Sequence, residues 1–124
     1  MSKQRESKQR ESRIQQEIML EVSKSPHNLI VRRNVGMFKT MDGLRIVRVG
    51  QVGEADTQGI LGNQRCPNCH FPIHPLPYAV EVKDESNEQD PDQINWQKNV
   101  WERRGGLYVL ARSAEDAIKG LGLK

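Results

Sequence analysis

The chain has 124 residues, 35% of them hydrophobic and 28% charged, with a formal net charge of +3. That length fits one domain with a modest core. No apolar run approaches the ~20 residues of a membrane span, and the charged N-terminus lacks the apolar segment of a secretory signal, so a cytoplasmic protein is expected.

Residues 1–11 are read as a charged extension, helical or disordered, built on the tandem repeat KQRES at 3–7 and 8–12. A single domain is expected to follow over 12–124. A solvated arm is the plainer reading of the repeat; a basic arm on a nucleic-acid backbone is the alternative. Ile14, Ile18 and Val22 recur every four residues and predict a helix over 12–24, stopped by Ser25-Pro26. NLIVRRN (28–34) is a first strand. MFKTMDG is a loop or short hairpin, and the alternation in LRIVRVG (44–50) predicts a second strand. After the Gly50 and Gly53 turn, Thr57 to Leu61 is a third. Residues 63–77 hold four prolines between Pro67 and Pro77 and cannot be regular structure. YAVEV (78–82) resumes the sheet. Asp90-Pro91 opens a helix through DQINWQKNVWERR, which Gly105-Gly106 closes. LYVLARS is a last strand, and SAEDAIKGLG a last helix with a serine cap. The order is α-β-β-β-β-α-β-α, which predicts an α/β fold with a mixed sheet flanked by helices.

The segment PYAVEVKDE carries the chemistry. Strand alternation puts Glu81 and Lys83 on one face and Val80 and Val82 on the other. If 57–61 and 78–82 are antiparallel neighbours, Asp56 begins one strand where Glu81 nearly ends the other. Two carboxylates with a backbone carbonyl, here that of Val82, make a hard oxygen site suited to Mg²⁺ or Mn²⁺. Magnesium keeps several waters, one of which can attack a phosphodiester. Lys83 beside that water would orient it and offset phosphate charge. The plainer reading of Glu81 and Lys83 is an exposed strand end with a weak ion pair.

Those residues, with RRNVG at 32–36, RVGQVGEADTQGIL at 48–61, AVEVK at 79–83, QINWQ at 93–97 and GGLYVLARSAEDAI at 105–118, resemble a stand-alone VRR-NUC domain of the PD-(D/E)xK nuclease superfamily. The likeness runs from about residue 12 to 121. It implies a restriction-endonuclease-like fold and divalent-metal-dependent DNA cleavage. It also implies kinship with Holliday-junction resolvases, a homodimer acting on branched or flap DNA, and an intracellular, phage-like setting. By this resemblance Asp56 is the metal aspartate, Glu81 and Lys83 are the E-x-K pair, and Glu17 is the acid of the first helix. Gln93 or Gln97 is the glutamine of the following helix. From the residues alone, Glu17 is equally a helix-boundary glutamate, and either glutamine a structural amide on the packed face. Arg32, Arg33, Arg45 and Arg48 are candidates for holding DNA phosphates or are ordinary surface charge.

The insert CPNCHFPIHP departs from the short hairpin expected of such domains. Cys66 and Cys69 have zinc-knuckle spacing, with His74 and then His70 as further ligands. Three readings stand: a local zinc site, a zinc shared between two protomers, or reduced cysteines without metal. Two functions compete with nuclease activity: a DNA-binding accessory protein on the same fold, and a zinc-stabilised interaction module.

Overall fold

The computed structural model describes residues 3–33 and 36–123. Asn34 and Val35 of the RRNVG segment lie outside the described residues, as do Met1, Ser2 and Lys124, so the expected end of the first strand at 34 is not described.

Three helices, a four-stranded sheet and a separate two-stranded ribbon make up the described chain. Helix α1 spans Lys3–Val22. It therefore contains the tandem repeat, and the boundary drawn at residue 11 falls inside it. The two copies are five residues apart, which turns them to different sides of a helix of 3.6 residues per turn. Ser7 is buried, while its repeat mate Ser12 is half-buried. The inward residues anchor the repeat through contacts to residues 84–87 (below), which a composition-based reading could not foresee.

Strands β1 (Asn28–Arg32), β4 (Thr57–Leu61), β5 (Leu76–Val82) and β6 (Leu107–Ala111) lie side by side in that order. The first two contacts are antiparallel and the last is parallel. A parallel pair needs a crossover. It is supplied by α2 (Pro91–Asn95), which continues as a π-helical turn (Trp96–Trp101) and a 3₁₀ turn (Glu102–Arg104). Gly105 ends it in the left-handed region at φ 90°. Helix α3 (Ala114–Gly120) is capped by the Ser113 hydroxyl, which accepts from the Asp116 amide.

The observed order has one strand more than expected. Gly36–Lys39 (β2) and Ile46–Val49 (β3) pair antiparallel as a ribbon of their own, outside the main sheet. Hydrophobic alternation marks a strand but not its partner, so the sequence could not separate this ribbon from the sheet. It exposes Met37, Phe38, Ile46, Val47 and Val49.

Strand β5 is the centre of the core, buried on both faces from Tyr78 to Val82. Tyr78, Val80 and Val82 pack with Ile18 and Val22 of α1, Ala117 of α3, and Leu61 and Val109. Fully burying an aliphatic side chain of this kind stabilises the fold by roughly 1.5–3 kcal/mol. On the other face Ala55, Ala79, Trp96 and Tyr108 form a second cluster. Trp96 stacks on Trp101 with ring centroids 5.1 Å apart, which gives both indoles packing work. Two buried hydroxyls tie the strands together. Thr57 donates to the Val80 carbonyl at 2.6 Å, and Tyr78 to the Leu29 carbonyl at 2.8 Å.

Candidate active site

The register Thr57↔Val80 places Asp56 opposite Glu81 at one end of the sheet. Strand β1 reaches the same end, where the Arg33 amide donates to the Asp56 carbonyl at 2.5 Å. One strand over, the Lys83 amide donates to the Ala111 carbonyl at 3.0 Å. The end of β5 is thus held on both sides at the point where its charged residues begin.

Glu81 is only 2% exposed. Its Oε1 accepts a 2.8 Å hydrogen bond from the Gln93 side-chain amide. Its Oε2 is buried without a hydrogen-bond partner among the described residues. Burial, and then the charge of Asp56, push its carboxyl up to about 8, with Lys83 pulling the other way. Asp56 keeps a solvent-facing side, but the chain crowding it raises its pKa, against the opposing pull of Lys83 and Arg32. Two carboxylates that both resist ionisation, one with an orphaned buried oxygen, form an acceptor set short of positive charge. A hard divalent cation fits it. Its holders would be Asp56 and Glu81, with Val82 lining the adjoining cleft of about 280 Å³.

Lys8, Glu11, Gln15, Arg32 and Phe38 also line that cleft. The acid that α1 brings to the site is therefore Glu11, whose charge raises the pKa of both Asp56 and Glu81. Glu17 is exposed and is not among the cleft-lining residues. The step of six positions carries Glu17 about 600° around the helix, or 120° away from Glu11, at 3.6 residues per turn. The sequence reading missed Glu11 because it lies in the repeat assigned to a solvated arm.

Glu11 also holds the loop that follows Lys83. Its Oε1 accepts from the Asp84 amide at 3.2 Å and from the Asn87 side chain at 3.1 Å. The Asn87 side chain donates to the Ser7 hydroxyl as well. Asp84, 3% exposed, accepts from Arg10 at 2.7 Å and from the Ser86 hydroxyl at 2.7 Å. The Ser86 hydroxyl, joined by Ser7 and Arg10, holds its carboxyl well below the usual carboxylate range. Asp84 was likewise missed, since one acid among several in DESNEQD carries no mark of burial.

Of the two candidate glutamines, the structure brings Gln93 to Glu81. Its Oε1 accepts from the Asp90 backbone amide at 3.0 Å, and its backbone amide donates to the Asp90 carboxylate at 2.9 Å. This capping box locks the side chain on which Glu81 depends. Gln97 is occupied elsewhere: it accepts from Gln89 at 3.0 Å and donates to Glu102 at 3.2 Å.

The turn before Asp56 is fitted to the same helix. Gly53 has φ +79°, and a Cβ there would lie 2.1 Å from the Asp92 carbonyl oxygen. The close approach is to the first turn of α2. Trp96 reinforces it by donating to the Gln51 side chain at 2.9 Å. Gly53→Ala should therefore lower stability by about 2 kcal/mol or more. It should also loosen Gln93 from Glu81. Thermal unfolding, together with cleavage rates at a temperature where the variant is folded, checks both effects.

No protein-family model matches the sequence, and no curated protein matches it. Among solved structures, a protein described as a VRR_NUC domain is similar: 20% identity over 91% of this chain and 95% of that one, with a TM-score of 0.58. This chain has the VRR_NUC fold. The mixed sheet with helices on both faces is the architecture the sequence led us to expect, and this fold presents Asp56, Glu81, Lys83 and Gln93 at one sheet end.

The arginines divide. Arg32 and Arg33 are both exposed and line the cleft, and Arg33 also makes an ion pair with buried Glu54 at 3.2 Å. Arg45 and Arg48 are exposed on or beside the β2–β3 ribbon, not on strands neighbouring β1. The insert lies at the opposite end of β4 and β5 from Asp56 and Glu81. There Cys66 is half-buried and free, and Cys69, His70 and His74 are exposed. The described residues contain no group of three or more His, Cys, Asp or Glu side chains placed to hold a metal. The local Cys₂His₂ set is accordingly not assembled, because the hairpin that closes the knuckle leaves both histidines at its surface. None of the described helices is long and apolar enough to cross a membrane.

Proposed function

We propose that this protein is a Mg²⁺- or Mn²⁺-dependent endonuclease that hydrolyses phosphodiester bonds in branched or flap DNA, working as a homodimer. One observation carries the reading: the buried, unpartnered Glu81 Oε2 opposite Asp56. The bound cation would supply Lewis acidity and charge neutralisation at the scissile phosphate. Asp56 and Glu81 would hold it. Gln93 fixes the Glu81 carboxyl through its other oxygen, leaving Oε2 free for the ion. Lys83, half-buried at the end of β5, orients the attacking water and balances charge on the phosphate oxygens. Glu11 positions Lys83 through the Asp84 amide.

The preference for structured DNA is supported by the cleft's neighbours. Lys8 and Arg32 offer cations for the backbone, and exposed Phe38 brings the apolar ribbon to the cleft. Such a surface suits bases that a branch has already unstacked. The test is cleavage of labelled linear, flap and four-way DNA with Mg²⁺, Mn²⁺ or chelator. Metal-dependent cutting that favours the branched forms is expected. In the same assay Glu11→Gln should slow cutting by tenfold or more, and Glu17→Gln should match the parent. Salt-sensitive binding without cutting would leave a DNA-binding accessory protein in its place.

A further inference from the structure

The β2–β3 ribbon stands outside the main sheet, and none of its described residues joins either core cluster. A two-stranded hairpin without a partner surface is marginal in water, yet this one carries apolar side chains on both faces. The register puts Met37 and Ile46 on one face and Phe38, Val47 and Val49 on the other, and all of them are exposed. The turn that joins the strands is closed by its own backbone. The Thr40 amide donates to the Arg45 carbonyl at 2.9 Å, and the Gly43 amide to the Thr40 carbonyl at 2.8 Å. Held out at this tip are Leu44, 82% exposed, and Met41, wholly exposed.

Charge says what such an arm meets. Lys39, Arg45 and Arg48 are exposed on the ribbon or its turn. The one acid between positions 36 and 49 is Asp42. It is taken up inside the turn, where its carboxylate accepts from the Thr40 hydroxyl at 2.5 Å and from the Leu44 amide at 2.9 Å. A second copy laid ribbon to ribbon would set these cations against their like. A nucleic-acid backbone neutralises them, and its bases offer flat apolar faces to the tip. The ribbon is also continuous with the candidate active site. Phe38 lines the cleft that holds Asp56, beside Lys8, Arg32 and Arg33. Met41 is three residues beyond Phe38, on the order of 10 Å along the strand, so DNA seated in the cleft is within reach of the tip.

We propose that the β2–β3 ribbon is a DNA-binding arm whose tip residues, Met41 and Leu44, wedge between the base pairs that meet at a branch point. Lys39, Arg45 and Arg48 hold the phosphates on either side. Parting a base step costs stacking energy, and least where a branch already interrupts the duplex. The arm therefore reads structure and needs no contact to base edges. This inference rests on the reading of the cleft as a DNA site, and its test is made without cleavage.

The parent would be bound, in chelator, to flap and linear DNA carrying single 2-aminopurine bases, whose emission rises when they unstack. At saturation the emission should rise about twofold or more at the pairs flanking the branch, and stay level elsewhere and in linear DNA. The Met41→Ser, Leu44→Ser double variant should keep the parent's circular dichroism and unfolding midpoint, since both side chains are exposed. It should lose the emission rise and the preference for flap over linear DNA. The Lys39→Ala, Arg45→Ala, Arg48→Ala triple variant should bind both DNAs about tenfold or more weakly, with a salt slope smaller by about 3. Parent binding without the rise, a tip variant that keeps it, or an unchanged salt slope in the triple variant would overturn the inference. So would a tip variant that binds DNA as the parent does but sediments as a monomer where the parent is a dimer, which would make the ribbon a contact between copies. Metal-dependent cutting without the emission rise would remove the arm and leave the nuclease; the rise without cutting in Mg²⁺ or Mn²⁺ would do the reverse.

Discussion

Asp56→Asn and Lys83→Ala should each reduce DNA cleavage by about two to four orders of magnitude, and for different reasons. Asp56 faces Glu81 across the β4–β5 ladder, so Asp56→Asn removes one of two carboxylates and should weaken Mn²⁺ binding as well as the rate. Lys83 contributes an ammonium but no oxygen ligand. Its loss should leave Mn²⁺ binding intact, or strengthen it, while the rate collapses. Neither change opens the core: Asp56 has a solvent-facing side, and Lys83 is anchored through its backbone amide, which any residue but proline provides. Calorimetric Mn²⁺ titration beside single-turnover cleavage separates the two roles. Parent-like rates in both variants would remove the mechanism.

The second large effect concerns stability. The native fold pushes Glu81 from 4.5 up to about 8, so the folded chain holds that proton more tightly than the unfolded chain. The stabilisation is fully present below about 4.5 and is lost as pH rises through about 8. Metal-free protein should consequently lose stability across that window, by on the order of a few kcal/mol. Glu81→Gln carries no such proton. It should be less pH-dependent than the parent and, in chelator at pH 9, more stable than it. Added Mn²⁺ should restore the parent at high pH and do nothing for the variant. Urea unfolding at pH 5 and pH 9, with and without Mn²⁺, reads all of this. Matching pH profiles for parent and variant would mean that the Glu81 carboxyl is not the strained group.

The strands that build the candidate site were readable because their signals are local. Alternation in YAVEV, the glycine turn before Asp56 and the proline-capped helix entry each mark an element within a few residues. The pairing of 57–61 with the strand after the insert followed from that order, and the register then brought Asp56 to Glu81. What could not be read was set by distant contacts. Glu11 differs from Glu6 in composition not at all; only packing of the repeat against residues 84–87 selects it. Gln93 and Gln97 share a helix face in the sequence pattern. The capping box at Asp90 and the π-helical turn beginning at Trp96 separate their partners. Arg33 looks as free as Arg32 until Glu54, buried nearby, claims it.

The strap between α1 and the loop after Lys83 joins residues more than seventy positions apart: Arg10 with Asp84, Glu11 with the Asp84 amide, Ser7 with Asn87. Closing so long a stretch of chain is entropically costly and late on most folding routes. During synthesis the first helix must wait for most of the polypeptide before its inward polar groups find these partners. The amine at position 83 gains its final setting only at that closure, so the chain should acquire cutting competence as one of the last events of its maturation.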